Sequence, residues 1–200
     1  WSSDVCSSDL GVTELGDVNG DGYYDLAVTA SLNTANAASF VVFGQSGLAD
    51  VELSDIGSAG NTQGFRISGY TQGPGALGAA GDINGDGLSD IIFYNNSVQA
   101  VIYGRAGTSE VSVSALAATR GFRITGSYVN YLSALGDVNG DGLDDLGVAT
   151  SVLTSSTTQS NFFNVLYGTA AGADIAIPYV SAGGSFAGGY ALLAAGPTTA

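Results

Sequence analysis

A nine-residue acidic pattern, Asp-x-Asn-x-Asp-Gly-x-x-Asp, occurs three times in this 200-residue chain, at Asp17–Asp25, Asp82–Asp90 and Asp137–Asp145. Successive copies are offset by 65 and 55 residues, and the segments around them recur in the same order. A small-residue stretch precedes each loop: GVTELG, GALGAAG and YLSALG. An apolar stretch follows it: DLAVTA (Asp25–Ala30), DIIFYN (Asp90–Asn95) and DLGVAT (Asp145–Thr150). Next comes a segment closing on aromatic-Gly: FVVFG (Phe40–Gly44), AVIYG (Ala100–Gly104) and NVLYG (Asn164–Gly168). GFRISG (Gly64–Gly69) and GFRITG (Gly121–Gly126) then lead to the following copy. Self-similarity of this kind marks an architecture assembled from copies of one supersecondary unit.

The unit is made of strands. Apolar residues do not persist at helical spacing for more than two turns, whereas short β-rich runs punctuated by Gly, Asn and Ser recur throughout. About four strands per repeat at this period favour an all-β propeller, each repeat forming one blade. Gly75, Gly78, Ala79, Ala80, Ser133 and Ala134 precede the loops and suit an inner strand crowded near a central axis. Blades are expected at roughly 11–69, 70–126 and 127–185. ALLAAGP (Ala191–Pro197) aligns with ALGAAGD (Ala76–Asp82), so the start of a fourth blade is expected over 186–200. Three blades do not close a ring, so the chain reads as an open arc of a longer propeller. Residues 1–10, WSSDVCSSDL, match nothing in the repeats and read as a non-native leader.

Each loop offers oxygen donors at fixed positions. Positions 1, 3, 5 and 9 carry side-chain oxygens, and position 7 contributes its backbone carbonyl. In the first loop these are Asp17, Asn19, Asp21 and Asp25, with Tyr23. The second has Asp82, Asn84, Asp86 and Asp90, with Leu88; the third has Asp137, Asn139, Asp141 and Asp145, with Leu143. Hard oxygen donors in a flexible loop suit Ca²⁺, while Mg²⁺ prefers a rigid octahedron that keeps several waters. Position 6 is Gly22, Gly87 or Gly142, where a sharp turn calls for positive φ. Asp144 is an extra acid whose register points it away from the ion. A solvated acidic turn explains one such stretch, since Asn-Gly and Asp-Gly are favoured turn residues; it explains three complete copies poorly.

An EF-hand loop opens the same way but closes with Glu at position 12 and is flanked by helices. Here position 12 is Val28, Phe93 or Val148, each inside an apolar β-like run. Dockerin-type loops also precede helices and sit closer together. With the EF-hand and dockerin readings set aside, the chain resembles the FG-GAP (VCBS-type) repeats of integrin α-subunit propellers and their bacterial secreted relatives. The three DxNGDGxxD loops, the aromatic-Gly strands and the GFRI strands carry the resemblance over about residues 11–196. It implies that each calcium loop joins the first two strands of a blade. The family's Gly-Ala-Pro element is degenerate here (Gly75-Ala76-Leu77; Gly196-Pro197).

Composition limits what such a chain does. The formal charge is −14, and ten of the 18 acidic residues lie inside the three loops. Acid so concentrated repels itself unless a cation sits among it; three divalent ions would bring −14 to −8. The only basic residues are Arg66, Arg105, Arg120 and Arg123, so a phosphate-binding patch is not expected and neither is nucleic acid. The chain has no His and no Lys, and Cys6 is its single cysteine, which leaves few general bases or nucleophiles and no intrachain disulfide. No run of 18 apolar residues would span a membrane. Arg66 and Arg123 read as outward residues of edge strands rather than as a ligand-facing ring. Tyr70, Tyr128 and Tyr131 are candidates for a binding face.

The expectation is therefore a non-catalytic, calcium-binding propeller module of a secreted or cell-surface, bacterial protein. Calcium is structural, and the partners are the remaining blades of the parent chain and an extracellular protein or glycan. The alternatives are an accessory propeller of an extracellular hydrolase or lyase whose catalytic domain lies elsewhere, and a spacer with no ligand.

Overall fold

A computed structural model describes residues 10–30, 38–47, 50–71, 75–126, 128–153, 158–177, 185–186, 189–193 and 198–199. Of the leader expected over 1–10, only Leu10 lies among them, as the first residue of a strand.

The chain is all-β, and each repeat forms one sheet. In the first, strands β1 (Leu10–Gly16), β2 (Asp25–Ala30), β3 (Ala38–Val42) and β4 (Gly64–Ser68) run antiparallel in that order. The second contains β5 (Ala76–Gly81), β6 (Asp90–Tyr94) and β7 (Gln99–Ile102). After β7 the chain forms β8 (Val111–Ser112) and a 3-10 turn (Val113–Ala115), then returns as β9 (Gly121–Gly126), the fourth strand of the second sheet. The third sheet opens with β10 (Tyr128–Gly136), β11 (Asp145–Leu153) and β12 (Thr158–Leu166). The remaining strands are β13 (Ile175–Ile177), β14 (Ser185–Phe186), β15 (Gly189–Leu193) and β16 (Thr198–Thr199). All three acidic loops connect the first two strands of their sheets, as the repeat predicts.

Two expectations are corrected by the strand pairing. Residues 189–193 do not start a fourth repeat: β15 pairs antiparallel with β12 and is the fourth strand of the third sheet. Its register explains why. Gly189 lies opposite Leu166 and Tyr190 opposite Val165, as Gly121 and Phe122 lie opposite Ile102 and Val101. GYAL is therefore the third copy of GFRI, and the shared signal is Gly-aromatic-x-aliphatic rather than the resemblance to ALGAAG. Second, β4 and β9 are not free edges. β8 pairs parallel with β4, and β13 pairs parallel with β9. Each later repeat thus lends a short strand to the outer edge of the preceding sheet, covering N–H and C=O groups that would otherwise invite pairing. Val111–Ser112 and Ile175–Ile177 consequently belong to the sheet before the one their position in the chain suggests.

The core lies between sheets. Leu15, Val18, Ala27, Val41, Phe65 and Ile67 of the first sheet meet Leu77, Ile91, Phe93, Ala100 and Ile102 of the second. A second cluster joins Ile83, Ile92, Val101 and Phe122 to Leu132, Leu146, Val148 and Leu166 of the third sheet. The alternation of strands explains the pattern: β6 is buried at four consecutive residues because both its faces are covered, whereas β2 alternates. Register makes Val12 and Leu26 the counterparts of Leu77 and Ile91, yet they are 62% and 41% exposed against 8% and 0%. Among the described residues no sheet packs on this outer face of the first sheet. Crowding of the small-residue strand holds in part. The Phe93 ring sits where a Cβ on Gly75 would go, while a Cβ on Gly78 would meet open space.

Candidate metal centres

The three loops fold through one set of hydrogen bonds. In the first, Asp17 Oδ1 accepts from the backbone N–H groups of Gly20 (2.7 Å) and Asp21 (3.2 Å), and Oδ2 from Gly22 (2.9 Å). Asp82 accepts from Gly85, Asp86 and Gly87, and Asp137 from Gly140, Asp141 and Gly142, all at 2.7–3.1 Å. The position-1 carboxylate is thus the hub around which the turn is wound. These donors hold the Asp137 carboxyl below the usual range, the Gly142 N–H most of all. Asn19, Asn84 and Asn139 each accept from the position-5 N–H and donate to the position-5 carboxylate. That carboxylate in turn accepts from the N–H of Tyr23, Leu88 or Leu143. Gly22, Gly87 and Gly142 have φ of 87°, 84° and 91°, the positive values their position predicts.

Position 9 differs from the others. Asp25, Asp90 and Asp145 are fully buried, and both oxygens of each carboxylate accept backbone N–H groups. One bond returns to position 2 of the same loop (Val18, Ile83, Val138; 2.8–2.9 Å). The other comes from the glycine of the aromatic-Gly pair (Gly44, Gly104, Gly168; 2.7–2.8 Å). This second partner went unread in the sequence, although the fixed order of loop and aromatic-Gly segment was the available signal. Burial raises the Asp25 carboxyl above its ordinary value and pushes Asp90 up to about 7, against the lowering effect of these N–H donors.

No three acidic groups converge into a ready-made metal cluster among the described residues. Within each loop the carboxylates accept backbone N–H groups instead. The donor set nevertheless suits a hard cation. Each loop supplies three carboxylates and one amide oxygen, a position-7 carbonyl, and no nitrogen or sulfur ligand. Nor is the acid neutralised from within, because the one ion pair among the described residues, Arg123–Asp174, lies elsewhere.

The FG-GAP repeat family model matches residues 13–43, a span that runs from β1 through the first loop, β2 and β3 to Phe43. Residues 13–43 are thus similar to an FG-GAP repeat. The second and third copies reproduce the order of strands, loop and aromatic-Gly pair of this FG-GAP unit, and their β-ladders keep its register. No match to the chain was found among curated proteins.

Other residues singled out in the sequence have structural places. Tyr70 packs on Phe93, with ring centroids 4.9 Å apart, and its hydroxyl meets Ser39 Oγ at 3.0 Å, so it belongs to the edge of the core. Tyr131 is exposed and lines a cleft of about 380 Å³ along β5 and β10 that has no acidic or basic side chain. The side chain of Tyr128, and Cys6, lie outside the described residues. Arg66 is exposed on β4. Arg105, overlooked in the sequence, donates its backbone N–H to Val18 O at 2.5 Å and lays its guanidinium 5.3 Å from the Phe65 ring centre.

Arg123 fastens β13 to β9: Nε donates to Asp174 Oδ2 at 2.9 Å, and the Arg123 N–H donates to Oδ1. The guanidinium holds the Asp174 carboxyl below the usual range. Its stabilisation is therefore present above the ordinary carboxylate pKa and is lost only as the pH falls through the lowered one. Both side chains are about a third exposed, so the pair is worth at most about 1 kcal/mol. Asp174→Asn should lower the melting temperature by no more than about 4 °C, by the same amount at pH 5 and pH 8, in thermal scans.

Proposed function

We propose that each loop is a structural calcium site and that the chain is a non-catalytic arc of a β-propeller. Asp17, Asn19, Asp21, Asp25 and the Tyr23 carbonyl would hold the first ion. Asp82, Asn84, Asp86, Asp90 and the Leu88 carbonyl would hold the second, and Asp137, Asn139, Asp141, Asp145 and the Leu143 carbonyl the third. The observation that carries this reading is the repetition of one oxygen-lined loop three times over, each with a buried position-9 carboxylate and no cationic side chain beside it. A divalent ion supplies the missing charge. The loop residues in turn fix the register between the first two strands and tie them to the third through the aromatic-Gly N–H.

The open outer face of the first sheet supports packing against a further blade of a parent chain. The lack of His and Lys and the uncharged cleft support a binding or scaffold role over catalysis. Millimolar calcium outside cells would keep such sites filled, which favours a secreted or cell-surface protein that engages an extracellular protein or glycan. Among the described residues no helix is long and apolar enough to cross a membrane.

Isothermal titration should find three calcium ions per chain. Asp21→Ala, Asp86→Ala and Asp141→Ala should each remove one of them. Absence of saturable binding at millimolar calcium would sink the reading. A screen of glycans and extracellular proteins, with calcium and with chelator, tests the interaction role.

A further inference from the structure

Neighbouring loops are joined to one another. The position-8 N–H of each later loop donates to the position-1 carbonyl of the loop before it: Ser89 to Asp17 O at 2.9 Å, and Asp144 to Asp82 O at 3.0 Å. At the second junction a side chain adds to this. Asp144 Oδ2 accepts the Asp82 N–H at 2.8 Å, across a chain separation of 62 residues. The peptide groups on both sides of the Asp82 Cα are therefore held by one residue of the next sheet. A glycine makes the approach possible, because a Cβ on Gly81 would collide with the Asp144 carboxylate.

Asp82 is the residue on which the second loop is wound, since its two oxygens take three backbone N–H groups. Fixing its backbone fixes the origin of its side chain. Asp144 carries a carboxylate, as the candidate ligands do, but turns its side chain out of its own loop. We propose that Asp144 is a positioning residue for the calcium loop of the preceding sheet, not a ligand of its own. Ser89, in the same register, holds Asp17 through its backbone alone, so the second loop is the more firmly preorganised of the two.

The inference rests on the loops binding calcium, and its test separates the two. Asp144→Ser places the residue of the second repeat at this position and keeps the backbone bond to Asp82. In calcium titrations of the full chain it should leave three ions bound and weaken one site about tenfold, the scale on which groups orienting metal ligands act. With Asp86→Ala already removing the second site, adding Asp144→Ser should leave the remaining two affinities unchanged. Asp144→Asn keeps an oxygen acceptor at the same reach and should stay within about threefold of the parent chain. In excess chelator Asp144→Ser should melt no more than about 4 °C below the parent chain, the cost of one hydrogen bond, and a fall of more than about 10 °C would mark a purely structural role and overturn the proposal. Three unchanged affinities in Asp144→Ser would overturn the proposal, as would a weakening that persists in the Asp86→Ala background, or an Asn variant as weak as Ser. A parent chain that binds no calcium would refute the sites themselves.

Discussion

Excess chelator should lower the melting temperature of the chain by roughly 20 °C relative to saturating calcium. At calcium a hundredfold above Kd, each site adds about 2.7 kcal/mol, and three sites add about 8 kcal/mol. That equals the whole stability of many domains, and at 2–4 °C per kcal/mol it gives the stated shift. The pH dependence should change with the ion. In chelator, Asp90, raised to about 7, and Asp25, also raised, weaken the fold when ionised. Their stabilisation is complete below the unfolded-state pKa and is lost as the pH rises through the folded one, so melting should rise on acidification from pH 8 to pH 5. Asp137 and Asp174 are shifted downward and titrate below that window. In calcium the trend should reverse, since protons then compete with the ion for the same oxygens. A chain that melts identically in calcium and in chelator would remove calcium from the account of its stability.

Phe93→Ala should cost about 4 kcal/mol, and the loss should be the same with and without calcium. Phe93 is fully buried where the first two sheets meet, lies against Tyr70, and covers the backbone of Gly75 where a Cβ would go. The surrounding strands are held by ladder hydrogen bonds and cannot collapse into the space left behind. Melting should fall by about 8–16 °C. Val28 occupies the same register position in the first sheet, on the face that no described sheet covers, and is only half buried. Val28→Ala should therefore cost less than about 1 kcal/mol. Thermal scans of both variants in calcium and in chelator check this. Equal costs at the two positions would mean that the sheets do not pack as described.

The legibility of this molecule follows from the range of its interactions. The turn at each loop is decided within nine residues: a carboxylate at position 1 reaches the N–H groups of positions 4, 5 and 6, and glycine at position 6 permits the positive φ. Asp17, Asp82 and Asp137 could accordingly be placed from the pattern alone. The strand character of β2, β6 and β11 is local as well, and so is the pairing of each with the strand before it across a short loop. Assignments failed where a segment's fate depends on a distant partner. Val111–Ser112 and Ile175–Ile177 are too short to show a periodicity, and their parallel partners lie on another sheet. Gly189–Leu193 resembles one strand by its small residues, but the facing β12 selects it as another. Asp144 turns out of its own loop as its register predicts, but its partner Asp82 lies on another sheet, so that contact does not show in the residue order.

Three all-β repeats, their acidic loops and the donor oxygens in them are properties of the residue order, because short-range geometry settles them. Which strand closes each sheet, which edges are covered, and which loops are fastened to which are decided by the packing of sheets against one another. Those contacts join residues 44 to 62 positions apart, and they form only when apolar faces on different repeats leave water together.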